Sequence, residues 1–582
     1  MKLHAVITPF ALVLATFFVV VSWQNNGISA RLLPSRQQVA LNSNDNKTVQ
    51  SLARDRNDKS SSLPISLDAL LDAMDVMQEK YFDVSTGTWP DSIDWTAAVL
   101  GTHISATLST LILSLDPATC TETLGWENLL SRYFSYTSIF YFGENALSLR
   151  QQAYDDMLWV VLGWLENIKF IDLYSSIRFN HVQNEPLQQQ PWYGTHFKSA
   201  AAHRARIFYG LASRGWDTSL CNGGMLWNRF LSPYKNSITN ELFISASISM
   251  YLYFPGDDND SPFFSSTKSN LYNSSTKSKN EKITPPKLRA HDPMHLQNAI
   301  DAYAWLKSSN MTAPYHPGLY ADGYHISGWH RTPTGSIDPG TGKCDKLNTM
   351  VYTYNQGVVL TGLRGLWLAM GEIRYLEDGH ELIEAVIEAT GWHDPESPAW
   401  SGLGRDGVLE EYCDSRGDCN QDGQTFKGIL FNHLAEFCRD LSAVEDDFLS
   451  SIPIQHELDR QVWEFHLYRC DGYHDWVEHN ARAATVTRDQ AGRFGMWWGR
   501  TYPDDGSAAG ARYRVPLLPL GAEDHASDVR QVAEGEVPVP REVRDVNERG
   551  RGRTVETQSG GVAVLRAFWQ WEGIKAARAP GS

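Results

Sequence analysis

Between Gln152 and Phe170 the chain reads QAYDDMLWVVLGWLENIKF. Asp155 and Asp156 lead a run of Met157, Leu158, Trp159, Val160, Val161, Leu162, Trp164 and Leu165. A helix apolar nearly all round lies in a core, not on a surface. Asp suits a helix start, where its oxygens accept unpaired backbone N–H groups and meet the positive end of the dipole. Two neighbouring carboxylates raise each other's proton affinity. Such a pair can supply one ionised nucleophile and one protonated acid. Plain helix capping produces the same two letters, so the rest of the chain must supply the context.

Helical spacing recurs from end to end. It predicts helices over the segment capped by Ser66 (LDALLDAMDVMQEKYF), over the run after the Trp89-Pro90 turn, and over Phe197–Ser213 and Asn236–Tyr253. Further helices are expected at Pro293–Lys307, Tyr354–Met370, Tyr375–Ala389, Gln424–Leu441 and Thr557–Trp571. No alternating strand runs joined by hairpin turns are apparent, so the fold class is all-α. Antiparallel helix pairs predict a toroid of helical hairpins; an α-solenoid is the competing arrangement, without a fixed short repeat.

Two stretches interrupt the pattern. Residues 256–290 are rich in Ser, Lys, Asn and Pro, and residues 502–553 have little apolar content. Both read as loop insertions. The Arg-Gly tract in the second reads as a solvated linker rather than an anion site.

The formal net charge of −17, without a sustained basic stripe, excludes nucleic acid as the expected partner. With 20 Trp and 24 Tyr, the chain suits a neutral ring-shaped ligand better than a phosphate. Seven cysteines are too few for a disulfide scaffold, and an odd count leaves one over. Cys413 and Cys419 flank a short polar loop and can close on each other. No zinc motif occurs, and no metal or other cofactor is expected.

Residues 1–30 carry Lys2 and an apolar run from Ala5 to Trp23, read as a signal peptide, or as a signal-anchor if uncleaved. Small residues at Ile28-Ser29-Ala30 favour cleavage, and the run is at the short edge of the about 20 residues that span a bilayer. Residues 31–62 read as a disordered polar stalk, and 63–582 as one domain. Sequons at Asn46, Asn259, Asn273 and Asn310 agree with a secretory route. The C-terminus lacks the apolar tail of a glycolipid anchor. A secreted, extracellular or cell-wall monomer is expected; membrane contact arises only if the signal stays attached.

Five motifs follow in order: Tyr154-Asp155-Asp156; Gly223-Gly224-Met225-Leu226-Trp227; Lys235-Asn236 with Asn240-Glu241-Leu242; Tyr354-Asn355-Gln356-Gly357; and Phe426-Lys427-Gly428-Ile429. This ordered set resembles glycoside hydrolase family 76, the endo-α-1,6-mannanases, in its filamentous-fungal form. The resemblance spans roughly Leu63 to Gly573. It implies an (α/α)6 barrel with two long loop insertions and retaining cleavage of internal α-1,6-mannosidic links in mannan or mannan-bearing glycans. It makes Asp155 the nucleophile and Asp156 the acid/base. The helix dipole would favour ionised Asp155, whose charge would hold the proton on Asp156. Retention needs carboxyl groups about 5–5.5 Å apart, which chain neighbours can provide.

Tyr154, Gly223, Gly224, Trp227, Asn240, Glu241, Tyr354, Asn355 and Gln356 are the candidate substrate-binding residues. Asn355 and Gln356 can bond hydroxyls or cap a helix. Gly223 and Gly224 permit close backbone approach or an ordinary turn. Trp227 can stack on a sugar or pack internally. Glu241 can orient the acid pair, or pair structurally with Lys235. One departure concerns the helix after Phe-Lys-Gly-Ile: bacterial relatives lead one to expect an Arg where Asn432 or His433 stands.

Other readings share the fold. A cell-wall transglycosidase would use the same acids with a sugar hydroxyl as acceptor. A dead carbohydrate-binding toroid would have no need of a like-charge pair. An inverting enzyme would place its acids on separate helices, with Glu241, Asp322, Glu410 or Glu411 as candidates.

Overall fold

The computed structural model describes residues 67–114, 123–179, 192–259, 289–332, 335–393, 399–451, 456–501, 516–528 and 545–578. The expected signal and stalk (residues 1–62), Cys120, the expected Ser66 cap, the sequons at Asn46 and Asn273, and most of 256–290 and 502–553 lie outside these residues.

The longer helices, numbered in chain order, are α1 Leu67–Tyr81, α2 Asp94–Ser114, α3 Thr123–Gly143, α4 Tyr154–Phe179, α5 Lys198–Ala212, α6 Ser237–Tyr253 and α7 Pro293–Ser309. They continue as α8 Thr353–Met370, α9 Arg374–Glu388, α10 Gln421–Cys438, α11 Ala443–Ser451, α12 His456–Asp471, α13 His474–Val486 and α14 Val555–Arg578. Helices α2, α4, α6, α8, α10 and α14 each pack on the next, and α14 returns to α2. The ring of six is therefore closed. Helices α3, α5, α7, α9 and α12 lie outside α2, α4, α6, α8 and α10, and α1 and α13 lie outside α14. This is an (α/α)6 barrel.

The ring explains the apolar sequences. Inner helices have neighbours on every side, so α2 is apolar along most of its length and buried there. Two glycines set the inner spacing. A Cβ at Gly357 would lie 2.6 Å from the Leu430 Cα, and one at Gly428 would lie 2.9 Å from the Gly560 Cα. By contrast α9 has only one face buried and is strongly amphipathic. Helices α3, α11, α12 and α13 have no counterpart among the helices expected from sequence. They are outer-layer or flanking segments whose apolar residues alternate with charges and hydroxyls.

Among the described residues, seven strands of two or three residues also form, in loops. The largest sheet pairs Tyr234–Asn236, Gly323–His325 and Lys346–Asn348, antiparallel throughout. Such runs are too short for alternation to show in the sequence. Among the described residues, disulfides join Cys221 to Cys344, Cys413 to Cys419 as the spacing allows, and Cys438 to Cys470.

The segment 502–553 is not a linker throughout. Its stretch 516–528 packs beside the start of α8, where Tyr352 donates to Asp524 at 3.1 Å and the His525 N–H donates to the Tyr352 hydroxyl at 2.6 Å. Arg553, at its end, donates to the Thr487 carbonyl at 2.8 Å and pairs with Asp545.

Candidate active site

All six inner helices begin at one end of the barrel. Trp95 in α2 stacks on Trp159 in α4 at 5.7 Å, and Tyr354 in α8 stacks on Phe426 in α10 at 3.8 Å. Thr96 in α2 donates to Glu556 in α14 at 3.1 Å. The acid pair stands in this mouth.

Asp155 and Asp156 occupy the first turn of α4. The Ala153 N–H donates to Asp156 Oδ2 at 3.0 Å, so Asp156 serves the helix start as the reciprocal arm of a capping box does. The Asp156 N–H donates to Asp155 Oδ1 at 3.1 Å. The Trp227 indole also reaches the Asp155 carboxyl. Burial, reinforced by the Asp156 charge, holds Asp155 well above the usual carboxylate range, against the hydrogen bonds from Asp156 and Trp227. Burial pushes Asp156 up to about 7; the Ala153 bond opposes this, and Asp422 and Asp94 add to it. The dipole argument, which leaves Asp155 freely ionised, thus meets a larger opposing term, loss of solvent. The two acids titrate together and retain a proton near neutrality.

Trp227 is fixed by the chain on both sides. Its N–H donates to the Tyr234 carbonyl at 2.8 Å, and its carbonyl accepts from the Tyr154 N–H at 2.9 Å. Asn240 anchors the same turn. Its Oδ1 accepts from the Met225 N–H at 2.7 Å and its amide donates to the Asn236 carbonyl at 2.7 Å. Gly223 (φ +132°) and Gly224 (φ +89°) lie against Trp305, which a Cβ on Gly224 would meet at 2.5 Å. Lys235 donates to the carbonyls of Asp217 at 2.8 Å, Leu220 at 2.7 Å and also Gly223. Its ion pair is with Asp217, 3.1 Å away, and not with Glu241. Tyr154 packs its ring over Gly215.

Tyr354 stands among the acids: Asp322, Asp155 and Asp422 all raise the proton affinity of its hydroxyl, which burial raises most. Gln356 is fully engaged, accepting from the Tyr320 N–H at 2.8 Å and donating to the Tyr320 and Tyr352 carbonyls at 3.0 Å each. Asn355 donates to Asp322 at 3.3 Å, while its Oδ1 has no partner. Asp322 also accepts from Tyr234 at 2.5 Å and Asn348 at 3.2 Å. Glu241 is fully buried with both oxygens unpartnered, and burial together with the Asp322 charge holds it well above the usual range. It belongs to the Asp322 cluster, and its carboxyl makes no hydrogen bond to the acid pair.

Asn432 and His433 lie deeper. Asn432 accepts from Arg566 of α14 at 2.7 Å, and His433 bonds Thr361 at 2.7 Å. These groups, with Glu166, Lys169 and Glu436, line an axial cavity of about 20 Å3, enough for one water. α10 carries no Arg at the position expected from bacterial relatives, and the guanidinium beside Asn432 belongs to the last helix. In the aromatic run Arg493–Arg500, Trp498 packs on Phe431 at 5.9 Å, inside the wall of the barrel.

Three mouth residues lie outside the motifs: Asp94, Trp95 and Asp422. Asp422 follows the N-cap Asn420 and lies in the first turn of its helix, as Asp155 and Asp156 lie in the first turn of theirs. Placing the helix start at Gln424 left it out.

A closed ring of six helices inside a second helical layer, with paired acids where the inner helices begin, can present two carboxyls to one bound ligand. Residues 290–452 match the model of glycosyl hydrolase family 76. The matched span carries α7 to α11 and begins well after the acid pair, which lies outside it. Similar solved structures include the alpha-1,6-mannanase GH76A of Salegentibacter sp. HEL1_6, an inactive variant with alpha-1,6-mannotetrose. It is 14% identical, covers 87% of this chain and 98% of its own, and has a TM-score of 0.46. Dfg5 from Chaetomium thermophilum, in complex with glucosamine, is 14% identical over 89% of this chain and 92% of its own, with a TM-score of 0.45. The family 76 mannosidase Bt3792 of Bacteroides thetaiotaomicron is 13% identical over 87% and 98%, with a TM-score of 0.43. Comparison with curated proteins gives no match.

Proposed function

We propose that the protein is a retaining glycosidase that cleaves internal α-1,6-mannosidic links of mannan, with Asp155 as nucleophile and Asp156 as acid/base. The observation that carries this reading is the placement of two adjacent carboxyls, Asp155 buried and Asp156 half-buried, at the open end of the barrel, with Asp156 pushed up to about 7. An acid that keeps its proton near neutrality can protonate a leaving oxygen. Asp155 accepts two N–H groups, from Asp156 and Trp227, and these stabilise it as the anion when the pair gives up a proton. Attack by Asp155 on the anomeric carbon breaks the bond to the leaving oxygen as Asp156 donates its proton. Asp156 then removes a proton from water, which displaces Asp155.

The acids available to an inverting enzyme are less suited. Glu241 and Glu410 are fully buried, and Glu411 and Asp322 nearly so. Asp322 and Glu411 are also committed to bonds with Tyr234 and Thr353.

Product analysis on linear α-1,6-mannan tests the proposal. The wild type should release short products of α configuration, and Asp155→Asn and Asp156→Asn should each lose at least about 10²-fold, the scale of acid–base roles. Release of β-configured products would overturn the retaining assignment. Mannan bound but left whole would turn the reading to transfer onto a glucan acceptor by the same acids.

A further inference from the structure

The axial cavity holds a charge that its neighbours leave without a partner. All six inner helices contribute to the cavity wall, α14 through Arg566 and α10 through Asn432 and His433. Arg566 is 2% exposed. Its Nε donates to the Thr110 hydroxyl at 3.0 Å and its Nη1 to Asn432 Oδ1 at 2.7 Å. Among the described residues its Nη2 has no hydrogen-bond partner, and its guanidinium makes no ion pair.

The other cations in this part of the barrel are paired. Lys169 lies 2.8 Å from Glu166 and 2.6 Å from Glu436. Arg439 lies 2.7 Å from Glu436 and also pairs with Glu445, which Arg364 approaches to 3.3 Å. Glu166, Glu436 and Glu445 thus serve Lys169, Arg439 and Arg364, and Arg566 is left over. A buried lysine can shed its proton, but a guanidinium stays charged. A charge held out of water needs a partner of opposite sign.

We propose that the axial cavity is a binding site for one small monovalent anion, a halide such as chloride, held by Arg566 Nη2, Asn432 Nδ2 and His433 Nε2.

The donors support the assignment. Asn432 turns its oxygen to Arg566, and its Nδ2 has no partner among the described residues. His433 bonds Thr361 through Nδ1 at 2.7 Å. With the Thr361 hydroxyl donating, the neutral ring carries its hydrogen on Nε2. The cavity volume of about 20 Å3 exceeds the roughly 10–15 Å3 that one water needs, which leaves room for one small ion. The side chains of Glu166 and Lys169 on its wall are each 13% exposed, which gives the ion a way in. Glu166 opposes an anion there, but Lys169 holds its Oε2 and offsets its charge. Burial lowers the proton affinity of Arg566, and the charges of Glu166 and Glu436 act against this from beyond ion-pair distance. A bound anion would tie α10 to α14, the helix that closes the ring. The site does not depend on the mannanase reading.

Melting of the whole protein in sodium chloride, sodium bromide and sodium gluconate at one ionic strength tests this, since gluconate is too large for the cavity. At about a hundredfold excess over the dissociation constant, either halide should raise the melting temperature by roughly 2–3 °C over gluconate. Arg566→Gln should abolish the difference, and Glu166→Gln should enlarge it by removing the opposing charge. Crystals of the wild type grown in bromide should show an anomalous peak within hydrogen-bond distance of Arg566 and Asn432. That arm decides the matter even where Arg566→Gln fails to fold. Equal melting in the three salts, with water alone between Arg566 and Glu166, would overturn the proposal. A bromide peak without any difference in melting would mean binding at crystal concentration only, and would overturn it too. A halide response that persists in Arg566→Gln would place the ion elsewhere, with the same consequence.

Discussion

The Asp156 carboxylate accepts the backbone N–H of Ala153 at 3.0 Å, so one of the two candidate catalytic acids also closes the start of its own helix. Capping and catalysis are often weighed against each other for an Asp-Asp pair. In this barrel the cap aims the acid.

That double role separates stability from activity. Asparagine keeps a cap oxygen, so Asp156→Asn should cost no more than about 1 kcal/mol of stability while activity on mannan falls at least about 10²-fold. Thermal melts beside rate measurements check this. A variant that loses activity only in proportion to its folded fraction would remove the catalytic role.

Trp227→Phe keeps a ring but removes the indole N–H that reaches Asp155. Losing a donor to an anion costs about 1.5 kcal/mol, so kcat should drop roughly tenfold with little change in KM. A rise in KM alone would mean that Trp227 stacks on the sugar.

Gly224→Ala should destabilise the turn that carries Trp227. A Cβ there would lie 2.5 Å from the Trp305 ring at a φ of +89°, and an unfavourable φ and steric overlap each cost on the order of 1–3 kcal/mol. A melting temperature unchanged within a degree would refute the assigned contact.

Stability should peak on the acid side of neutrality. Burial pushes Glu410 up to about 7 and Glu411 to about 8. The folded protein therefore binds protons that the unfolded chain has lost, and this contribution disappears as pH rises through 7–8. Burial pushes His103, His380 and His433 down to about 3. Here the unfolded chain takes the proton first, so stability is complete above about pH 6.5 and declines as pH falls, by about 2 kcal/mol per histidine at pH 5. The bonding of His380 shows why it resists protonation. His466 Nε2 must donate to the Phe437 carbonyl at 3.0 Å, so its Nδ1 accepts from His380 Nε2 at 2.9 Å. His380 Nδ1 then accepts from the Tyr473 hydroxyl at 2.7 Å, and no site is left for a further proton. Between about pH 4.5 and 6.5 three histidines outweigh two glutamates, so melts between pH 3 and 9 should show a maximum near pH 6.5. A maximum at pH 8 or above would contradict this balance.

Much of the barrel was legible because inner helices are enclosed. The apolar character of α2, α4 and α6 marks each of them without reference to its partners. Outer helices such as α3 and α12 mix aromatic, hydroxyl and charged residues, and their burial depends on a neighbour that no local window contains. The roles of Asn240 and Gln356 were obscured for a related reason. Both look like ligand-binding amides at helix mouths, yet their groups serve the Met225 and Tyr320 backbone, partners 15 and 36 residues away.

The sequence alone determined that the chain is helical and that a pair of acids opens a core helix, because periodicity and cap chemistry are local properties. The tertiary structure decided what the acids experience. Only closure of the ring brings Asp94, Asp156 and Asp422 together from helices far apart in the chain and removes the water around them. Proton affinity in a buried site is set by desolvation and by neighbouring charge, and both arise from residues that sequence order keeps apart.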